Sequence, residues 1–214
     1  MAARAHTTSN GAGKTSFDAV IIGGGLAGLY AIHKLRGMGL SVRAYEAGGG
    51  VGGTWFWNRY PGARCDVESL EYSYSFNDDL QQEWKWPERY GNQGEILAYI
   101  NHVADRFDLR RDVQLNTRIV AAEFNSAKGR WIVRTQSGEV IDAQYCIMCC
   151  GNRSTPRVPN FKGLETFIGK WYHTGLWPKE PVDFTGQRVG VIGTGSSSVQ
   201  MIPIIAKQAR QLTV

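Results

Sequence analysis

A glycine-rich turn between an apolar strand and a helical pattern is the feature that most restricts how this chain can fold. Residues 19–22 form a short apolar run, as in a buried parallel strand. Residues 26–35 then repeat leucine and isoleucine at helical spacing, and residues 41–47 have the composition of a second strand. Between the first strand and the helix stands a G-x-G-x-x-G motif, which consists of Gly23, Gly25 and Gly28. This order predicts a βαβ unit.

The spacing of these glycines is typical of a dinucleotide-binding turn. Gly23 permits the tight turn, Gly25 lets the backbone approach a pyrophosphate, and Gly28 packs the helix against the strand. The free amides at the helix start, including that of Ala27, and the helix dipole favour a bound phosphate. Glu46 ends the second strand, where it is placed to accept hydrogen bonds from ribose hydroxyls. The alternative is a glycine turn with a structural role only.

The same pattern returns near residue 188, which predicts a second unit of this kind. An apolar strand leads into a turn, and a helical pattern follows. The turn holds Gly193, Thr194, Gly195, Ser196, Ser197 and Ser198. Ser198 takes the place of the third glycine and loosens the fit of helix and strand, while Ser196 and Ser197 can donate hydrogen bonds to a phosphate. Two dinucleotide sites suggest a flavin and a nicotinamide, and spacing alone does not assign them.

The pattern divides the chain into four segments. Residues 1–16 are polar and broken by glycine, which predicts a disordered leader, with a transit peptide as the alternative. Residues 17–152 form the first domain, residues 153–184 a linker, and residues 185–214 the beginning of the second domain. The chain stops as the second strand of the new unit begins, so we expect a truncated domain.

Within the first domain, the pattern predicts a long loop, a helix and three strands. Residues 48–91 are rich in glycine and aromatic residues and carry no clear period, so we expect a functional loop. Residues 95–108 place apolar side chains on one helical face. The three strand-like segments span 113–125, 130–138 and 139–150.

Composition excludes several classes of protein. The 214 residues are 43% hydrophobic, which is enough for one good core. The net charge is +5, but the basic residues are scattered, so we expect no nucleic-acid partner. No apolar stretch approaches the roughly 20 residues of a membrane helix, so no membrane partner is expected.

The cysteines indicate a reducing compartment rather than a metal site. Cys146, Cys149 and Cys150 lie in one apolar run, and the first two would face opposite sides of a strand. We therefore expect buried structural thiols, no metal and a cytoplasmic location.

Two further motifs carry a resemblance to a known family. The segment Gly52-Gly53-Thr54-Trp55, then 59–62 (RYPG), then Asp66 resembles the GGxWxxxRYPGxxxD segment of flavin-dependent Baeyer–Villiger monooxygenases. The stretch FIGKWYHTGLWP is similar to the family's F-x-G-x-x-x-H-x-x-x-W-P fingerprint, through Phe167, Gly169, His173, Trp177 and Pro178. Within the family the chain most resembles the phenylacetone and steroid monooxygenase branch.

The resemblance implies a fold, two cofactors and a reaction. The fold is α/β, with a Rossmann-like FAD-binding domain followed by the start of a Rossmann-like NADP-binding domain. NADPH reduces FAD, and the reduced flavin and O₂ give a flavin peroxide that converts a ketone to an ester or lactone. The implied partners are the ketone and O₂, the complete protein is expected to be a monomer, and the chain alone is expected to be inactive.

The resemblance also implies roles for single residues. FAD would contact Thr54, Trp55, Trp57, Asp66, Tyr72 and, at its adenine end, Ile119. NADP would contact Arg64, Cys65 and Gln200 besides the second glycine turn. Asp66 would be a buried acid that supports a catalytic arginine outside this chain. The fingerprint would set the distance between the two cofactors; the alternative for His173 and Trp177 is ordinary core packing, and for Asp66 it is a turn cap.

Three alternatives remain open at this point. One is a related N-hydroxylating or flavin-containing monooxygenase, although these usually lack the final Trp-Pro. A second is a non-catalytic FAD-binding fragment. A third is a disulfide reductase, which needs a cysteine pair near the flavin, whereas Cys65 has no neighbour before Cys146.

Overall fold

Two β-sheets organise the fold in a computed structural model that describes residues 15–153 and 155–214. The larger sheet has the strand order β3-β2-β1-β6-β5-β4. Its strands are β1 (Ser16–Ile22), β2 (Val42–Tyr45), β3 (Val113–Gln114), β4 (Ile119–Asn125), β5 (Arg130–Thr135) and β6 (Val140–Met148). The smaller sheet pairs β7 (Arg188–Gly190) with β8 (Gln211–Thr213) in parallel. The predicted α/β class is confirmed.

Five α-helices accompany the sheets within the described part of the chain. They are α1 (Leu26–Gly37), α2 (Thr54–Trp57), α3 (Asp78–Glu83), α4 (Gln93–Arg106) and α5 (Ser196–Ala206). Of the leader predicted over residues 1–16, residues 1–14 lie outside the described residues. Strand β1 begins at Ser16, one residue before the predicted start of the first domain.

Strand β1 is central because it is apolar on both faces. It pairs in parallel with β2 and with β6, and Ala19, Val20 and Ile21 are fully buried. Parallel strands need cover on both faces, and α1 supplies part of it through the buried Leu29 and Ile32. The carboxyl ends of β1, β2 and β6 therefore meet at one edge of the sheet.

Helix α4 covers the same core. Asn92 and Glu95 form a capping box, in which each side chain accepts a hydrogen bond from the other residue's amide. The apolar face predicted for residues 95–108 is buried, including Ile96, Ile100 and Val103. The predicted helix is thus confirmed, but it starts and ends two residues earlier than expected.

Two predicted elements were wrong in detail. The single strand expected over 113–125 is two strands, because Asn116 adopts a left-handed conformation (φ 53°) that ends β3. The loop expected over 48–91 contains α2 and α3. The side chain of Asn77 accepts a hydrogen bond from the Leu80 amide at 2.8 Å and caps α3.

The second unit has its own small core. Phe184, Val191, Met201 and Ile205 are buried together, and Tyr60, from the segment after α2, packs against them. Within the described ranges, no helix is long and apolar enough to cross a membrane.

Candidate functional site

A cleft of about 530 Å³ lies at the carboxyl ends of β1, β2 and β6. This edge is where open α/β sheets bind their ligands. Nine of the residues predicted to hold FAD line the cleft, namely Gly23, Gly25, Ala27, Glu46, Thr54, Trp55, Trp57, Tyr72 and Ile119. Gly28 and Asp66 do not line it. Residues far apart in the sequence thus meet in one concave site.

The glycine turn is packed too closely for side chains. Gly23 has φ +111°, and a Cβ there would lie 2.4 Å from the carbonyl oxygen of Cys149. A Cβ on Gly28 would lie 2.0 Å from the carbonyl oxygen of Gly23, so helix α1 sits directly on the turn. Gly28 therefore acts through packing, and Gly25 lines the cleft itself.

The first turn of α1 presents free hydrogen-bond donors to the cleft. The N-cap, Gly25, provides no side-chain acceptor. Within the described chain, the amides of Leu26 and Ala27 have no acceptor, whereas the Gly24 amide is already bound to Glu46. Unpaired amides and the positive end of the helix dipole suit the phosphates of a dinucleotide.

Glu46 is buried beneath the turn, with 6% of its surface exposed. Its Oε2 accepts a hydrogen bond from the Gly24 amide and its Oε1 one from the Gly48 amide, each at 2.7 Å. A carboxylate oxygen can accept a second bond, so Glu46 can still accept from a ribose hydroxyl. The carboxylate also joins the glycine turn to the loop that follows β2.

Aromatic side chains also form part of the cleft wall. Trp55 is buried, and its indole Nε1 donates a hydrogen bond to the hydroxyl of Tyr72 at 3.0 Å. The two rings meet edge to face with centroids 5.9 Å apart. Burial raises the pKa of Tyr72, so the phenol stays neutral and keeps its proton at physiological pH. Such a wall favours a flat, apolar ring system.

The cleft also includes residues that the sequence analysis missed. Among them are Thr117, Arg118, Cys149, Cys150, Gly151, Arg153, Pro156, Gly175 and Leu176. Those from 149 to 151 follow β6 directly, so the rule that ligands bind at the carboxyl ends of strands could have found them. Gly175 and Leu176 belong to a single 3-10 turn, and no periodic signal in the sequence marks them.

The cysteine prediction needs a correction. Cys65 is buried, Cys146 and Cys149 are half-buried, and Cys150 is exposed. Cys150 lies beyond the end of β6, at the open edge of the sheet, and so it is not a buried structural thiol. In the described ranges no three metal-ligating side chains are grouped to hold an ion.

Asp66 also differs from its prediction. It is exposed rather than buried, because side chains alternate between buried and exposed from residue 63 to residue 66, and Asp66 falls on the exposed side. The neighbouring Arg64 is exposed and forms an ion pair with Glu88 at 2.9 Å. Cys65 is buried, which raises the pKa of its thiol. These three residues lie outside the cleft.

The second glycine turn leads into α5 as the first leads into α1. Gly193, Thr194, Gly195 and Ser196 are exposed, and the N-cap, Gly195, has no side-chain acceptor. Ser198 is buried, and a Cβ on Gly193 would lie 3.8 Å from its hydroxyl oxygen. A Cβ at Gly193 would thus meet no backbone atom as close as the Cys149 carbonyl oxygen that one at Gly23 would meet. Ser197 is half-buried beside Ser198.

Gln200 joins the two units. Its Oε1 accepts hydrogen bonds from the Tyr60 hydroxyl at 2.8 Å and the Arg64 amide at 3.3 Å. Its Nε2 donates to the Arg64 carbonyl at 3.0 Å. The side chain predicted to contact NADP is therefore held at the contact between α5 and the RYPG segment.

The fingerprint stretch touches both units. Nδ1 of His173 accepts a hydrogen bond from the Gly175 amide at 3.1 Å, and Gly175 lines the cleft. Trp177 packs on Tyr172, with ring centroids 5.4 Å apart, in the core of the second unit. Phe167 and Gly169 are exposed, whereas Pro178 is half-buried. His173 thus shapes the cleft rim, and Trp177 anchors the same stretch to α5.

Comparisons with known proteins agree with this geometry. Residues 17–214 match the family model described as flavin-binding monooxygenase-like. An acetone monooxygenase that forms methyl acetate, from Gordonia sp. (strain TY-5), is 50% identical over 94% of this chain and 38% of its own length. A phenazine N-monooxygenase from Lysobacter antibioticus is 47% identical over 94% of this chain and 37% of its own.

A solved structure shows the same arrangement. Oxidised steroid monooxygenase bound to NADP superposes with a TM-score of 0.89 and 58% identity, over 92% of this chain and 38% of that chain. This chain therefore spans less than two fifths of the length of the proteins it matches.

Proposed function

The chain belongs to the flavin-binding monooxygenase-like family, and from this membership we propose that the complete protein is a Baeyer–Villiger monooxygenase. It uses FAD, NADPH and O₂ to convert a ketone into an ester or lactone. The observation that carries the proposal is the cleft in which the glycine turn, Glu46 and the Trp55–Tyr72 pair meet. The 50% identity to an acetone monooxygenase supports ester formation as the reaction class.

FAD fits the cleft because its parts match the donors and walls there. The amides of Gly25, Leu26 and Ala27 would hold the pyrophosphate, and Glu46 would accept from the ribose. Trp55, Trp57, Thr54 and Tyr72 would face the flavin, and Ile119 the adenine. Bound there, FAD supplies the electron transfer to O₂ that no side chain provides.

The second unit would bind NADPH. The amides and hydroxyls from Gly193 to Ser197 would bind the phosphates of NADPH, and Arg64 and Cys65 would lie beside the nicotinamide. Gln200 and Tyr60 hold this unit against the first, which supports a distance between the cofactors that is set by packing. Asp66, on this proposal, supports an arginine from a part of the protein outside these residues.

We divide the chain accordingly. Residues 17–152 are the first part of the FAD-binding domain, residues 153–184 the linker and residues 185–214 the beginning of the NADP-binding domain. The described cysteines are all thiols, which supports a reducing compartment such as the cytoplasm. The complete protein acts as a monomer on this proposal.

A second candidate is oxygenation of an aromatic ring nitrogen. It is favoured by the phenazine N-monooxygenase, whose identity to this chain is only slightly lower than that of the acetone enzyme. The two candidates share the cofactors and the cleft and differ in the group that receives oxygen.

Product analysis under ¹⁸O₂ tests both candidates. The complete protein is incubated with FAD and NADPH and with either an aryl ketone or phenazine, and the products are identified by mass spectrometry. An ester that carries one ¹⁸O atom supports the first candidate. A labelled N-oxide without ester supports the second. If NADPH is consumed with each substrate but the only product is hydrogen peroxide, both candidates are refuted.

A further inference from the structure

Two adjacent cysteines line the cleft at the end of β6. Cys149 and Cys150 stand where the chain leaves the sheet, next to Gly23, which directly follows β1. Cys150 is exposed, and Cys149 is half-buried. Neither residue takes part in the proposed binding of the cofactors. The Cys149 side chain packs against the hydrophobic core, whereas the Cys150 thiol is exposed.

The backbone around the pair is tightly fixed. The Cys149 amide donates a hydrogen bond to the Ile22 carbonyl at 2.8 Å. The Cys149 carbonyl oxygen lies 2.4 Å from where a Cβ on Gly23 would be. The Cys150 sulfur lies 3.7 Å from the Ile22 carbonyl oxygen, so this thiol sits over the end of β1, just before the glycine turn.

We propose that Cys150 is a thiol-modification site at which a small electrophile and the dinucleotide exclude each other. This inference rests on the proposed binding of FAD in the cleft. Hydrogen peroxide is one such electrophile. The Cys150 thiolate attacks one peroxide oxygen, the S–O bond forms as the O–O bond breaks, and the hydroxide released takes up a proton to become water.

Sterics explain the competition. A dinucleotide whose pyrophosphate lies over Gly23 and Gly25 must pass the end of β6, where Cys150 also lines the cleft. An adduct on the sulfur adds atoms to that space, and the contact between Cys149 and Gly23 leaves the backbone no room to withdraw. Bound FAD in turn covers the sulfur.

Burial directs the reaction to one of the two thiols. Burial, and then the charge of Cys150, raises the pKa of Cys149, which keeps Cys149 protonated and less nucleophilic. The exposed Cys150 is the thiol that reagents reach first. Loss of flavin would therefore uncover a site whose oxidation keeps the protein in its flavin-free form.

Alkylation of the complete protein tests this site. Flavin-free and FAD-loaded samples are treated with iodoacetamide, and labelling of each cysteine is followed by peptide mass spectrometry. At a FAD concentration of about ten times the Kd, only about one protein molecule in ten has an empty cleft. We therefore expect Cys150 labelling to slow about tenfold. Cys146, which lies on β6 outside the cleft, is the internal reference whose labelling should not change.

Flavin binding by the labelled protein gives the second readout. We expect protein alkylated at Cys150 to bind FAD at least about tenfold more weakly, a loss of about 1.4 kcal/mol. FAD binding by the Cys150→Ser variant should no longer respond to iodoacetamide.

Three outcomes would overturn the inference. Unchanged FAD affinity after alkylation of Cys150 would refute the site while the proposed function stands. The same would follow if iodoacetamide still weakened FAD binding in Cys150→Ser. Untreated protein that binds no FAD would refute the proposed function, and the site with it.

Discussion

The contact between Gly28 and the glycine turn makes a sharp prediction for the change Gly28→Ala. The added Cβ would lie 2.0 Å from the Gly23 carbonyl oxygen, and Cβ atoms are not found closer than 3.0 Å to such neighbours. The atom it meets is backbone, so helix α1 must move away from the turn by about 1 Å. Overpacking of this kind costs about 1–3 kcal/mol of unfolding free energy.

The same movement should weaken FAD binding. The amides that face the pyrophosphate belong to the first turn of α1, and hydrogen bonds of about 2.9 Å do not tolerate a displacement of 1 Å. We expect the FAD Kd to rise at least about tenfold, as after the loss of one charge-assisted hydrogen bond. Fluorescence titration with FAD measures the affinity, and thermal unfolding of the flavin-free protein measures the stability.

Gly37→Ala is the matched control in the same helix. A Cβ at Gly37 would meet nothing within 4 Å, and the residue is the last of α1. Alanine is favoured over glycine in helices by up to about 1 kcal/mol, so this variant should be at least as stable as the parent and bind FAD equally well. If Gly28→Ala matched Gly37→Ala in both measurements, the packing argument would be wrong.

Four further predictions concern single side chains. Glu46→Ala should raise the FAD Kd at least about tenfold, because the ribose and two buried amides all lose the carboxylate as their acceptor. An unchanged FAD titration would contradict the role of Glu46 in binding the ribose. The His173→Ala variant should still purify with flavin, but NADPH should reduce it more slowly or more hydrogen peroxide should be released, as measured by stopped-flow absorbance and a peroxide assay. If the reduction rate and the peroxide release were both unchanged, His173 would have no role in coupling the two cofactors. The Gln200→Ala variant should likewise retain its flavin, but NADPH should reduce it more slowly, since the substitution removes the hydrogen bonds from α5 to Tyr60 and Arg64. An unchanged reduction rate would show that this contact does not set the distance between the cofactors. Burial, followed by the charges of Arg36 and Lys34, lowers the pKa of His33, so the unfolded chain binds a proton at this residue more readily than the folded protein does. The melting temperature should therefore fall as the pH drops below 6.5, and it should fall less steeply in the His33→Gln variant. Equal pH dependence in the two proteins would show that His33 does not contribute.

Local sequence predicted the elements whose signals lie within one βαβ unit. Gly23, Gly25 and Gly28 are spaced along a single turn, and Glu46 follows the next strand, so a short window contains the whole pattern. The cleft that they share with Trp55 and Ile119 was predicted through a family resemblance, because those residues come from separate loops and strands.

Other parts of the site depend on contacts between distant segments. The exposure of Asp66 and Cys150 depends on which elements cover them, and no periodic pattern reports that. Gln200 forms its bonds to Tyr60 and Arg64 across a separation of more than a hundred residues. Helix α3, by contrast, carried a readable signal, since Asn77 followed by two aspartates marks a helix start.

Analysis of the flavin released from the purified complete protein tests the central claim, that this cleft holds FAD. The protein is denatured, and the supernatant is separated by liquid chromatography against FAD and FMN standards. We predict that FAD is released, at close to one molecule per chain. The Glu46→Ala variant should retain FAD at least about tenfold less tightly. Release of FMN, or no flavin after reconstitution with FAD, would contradict the claim.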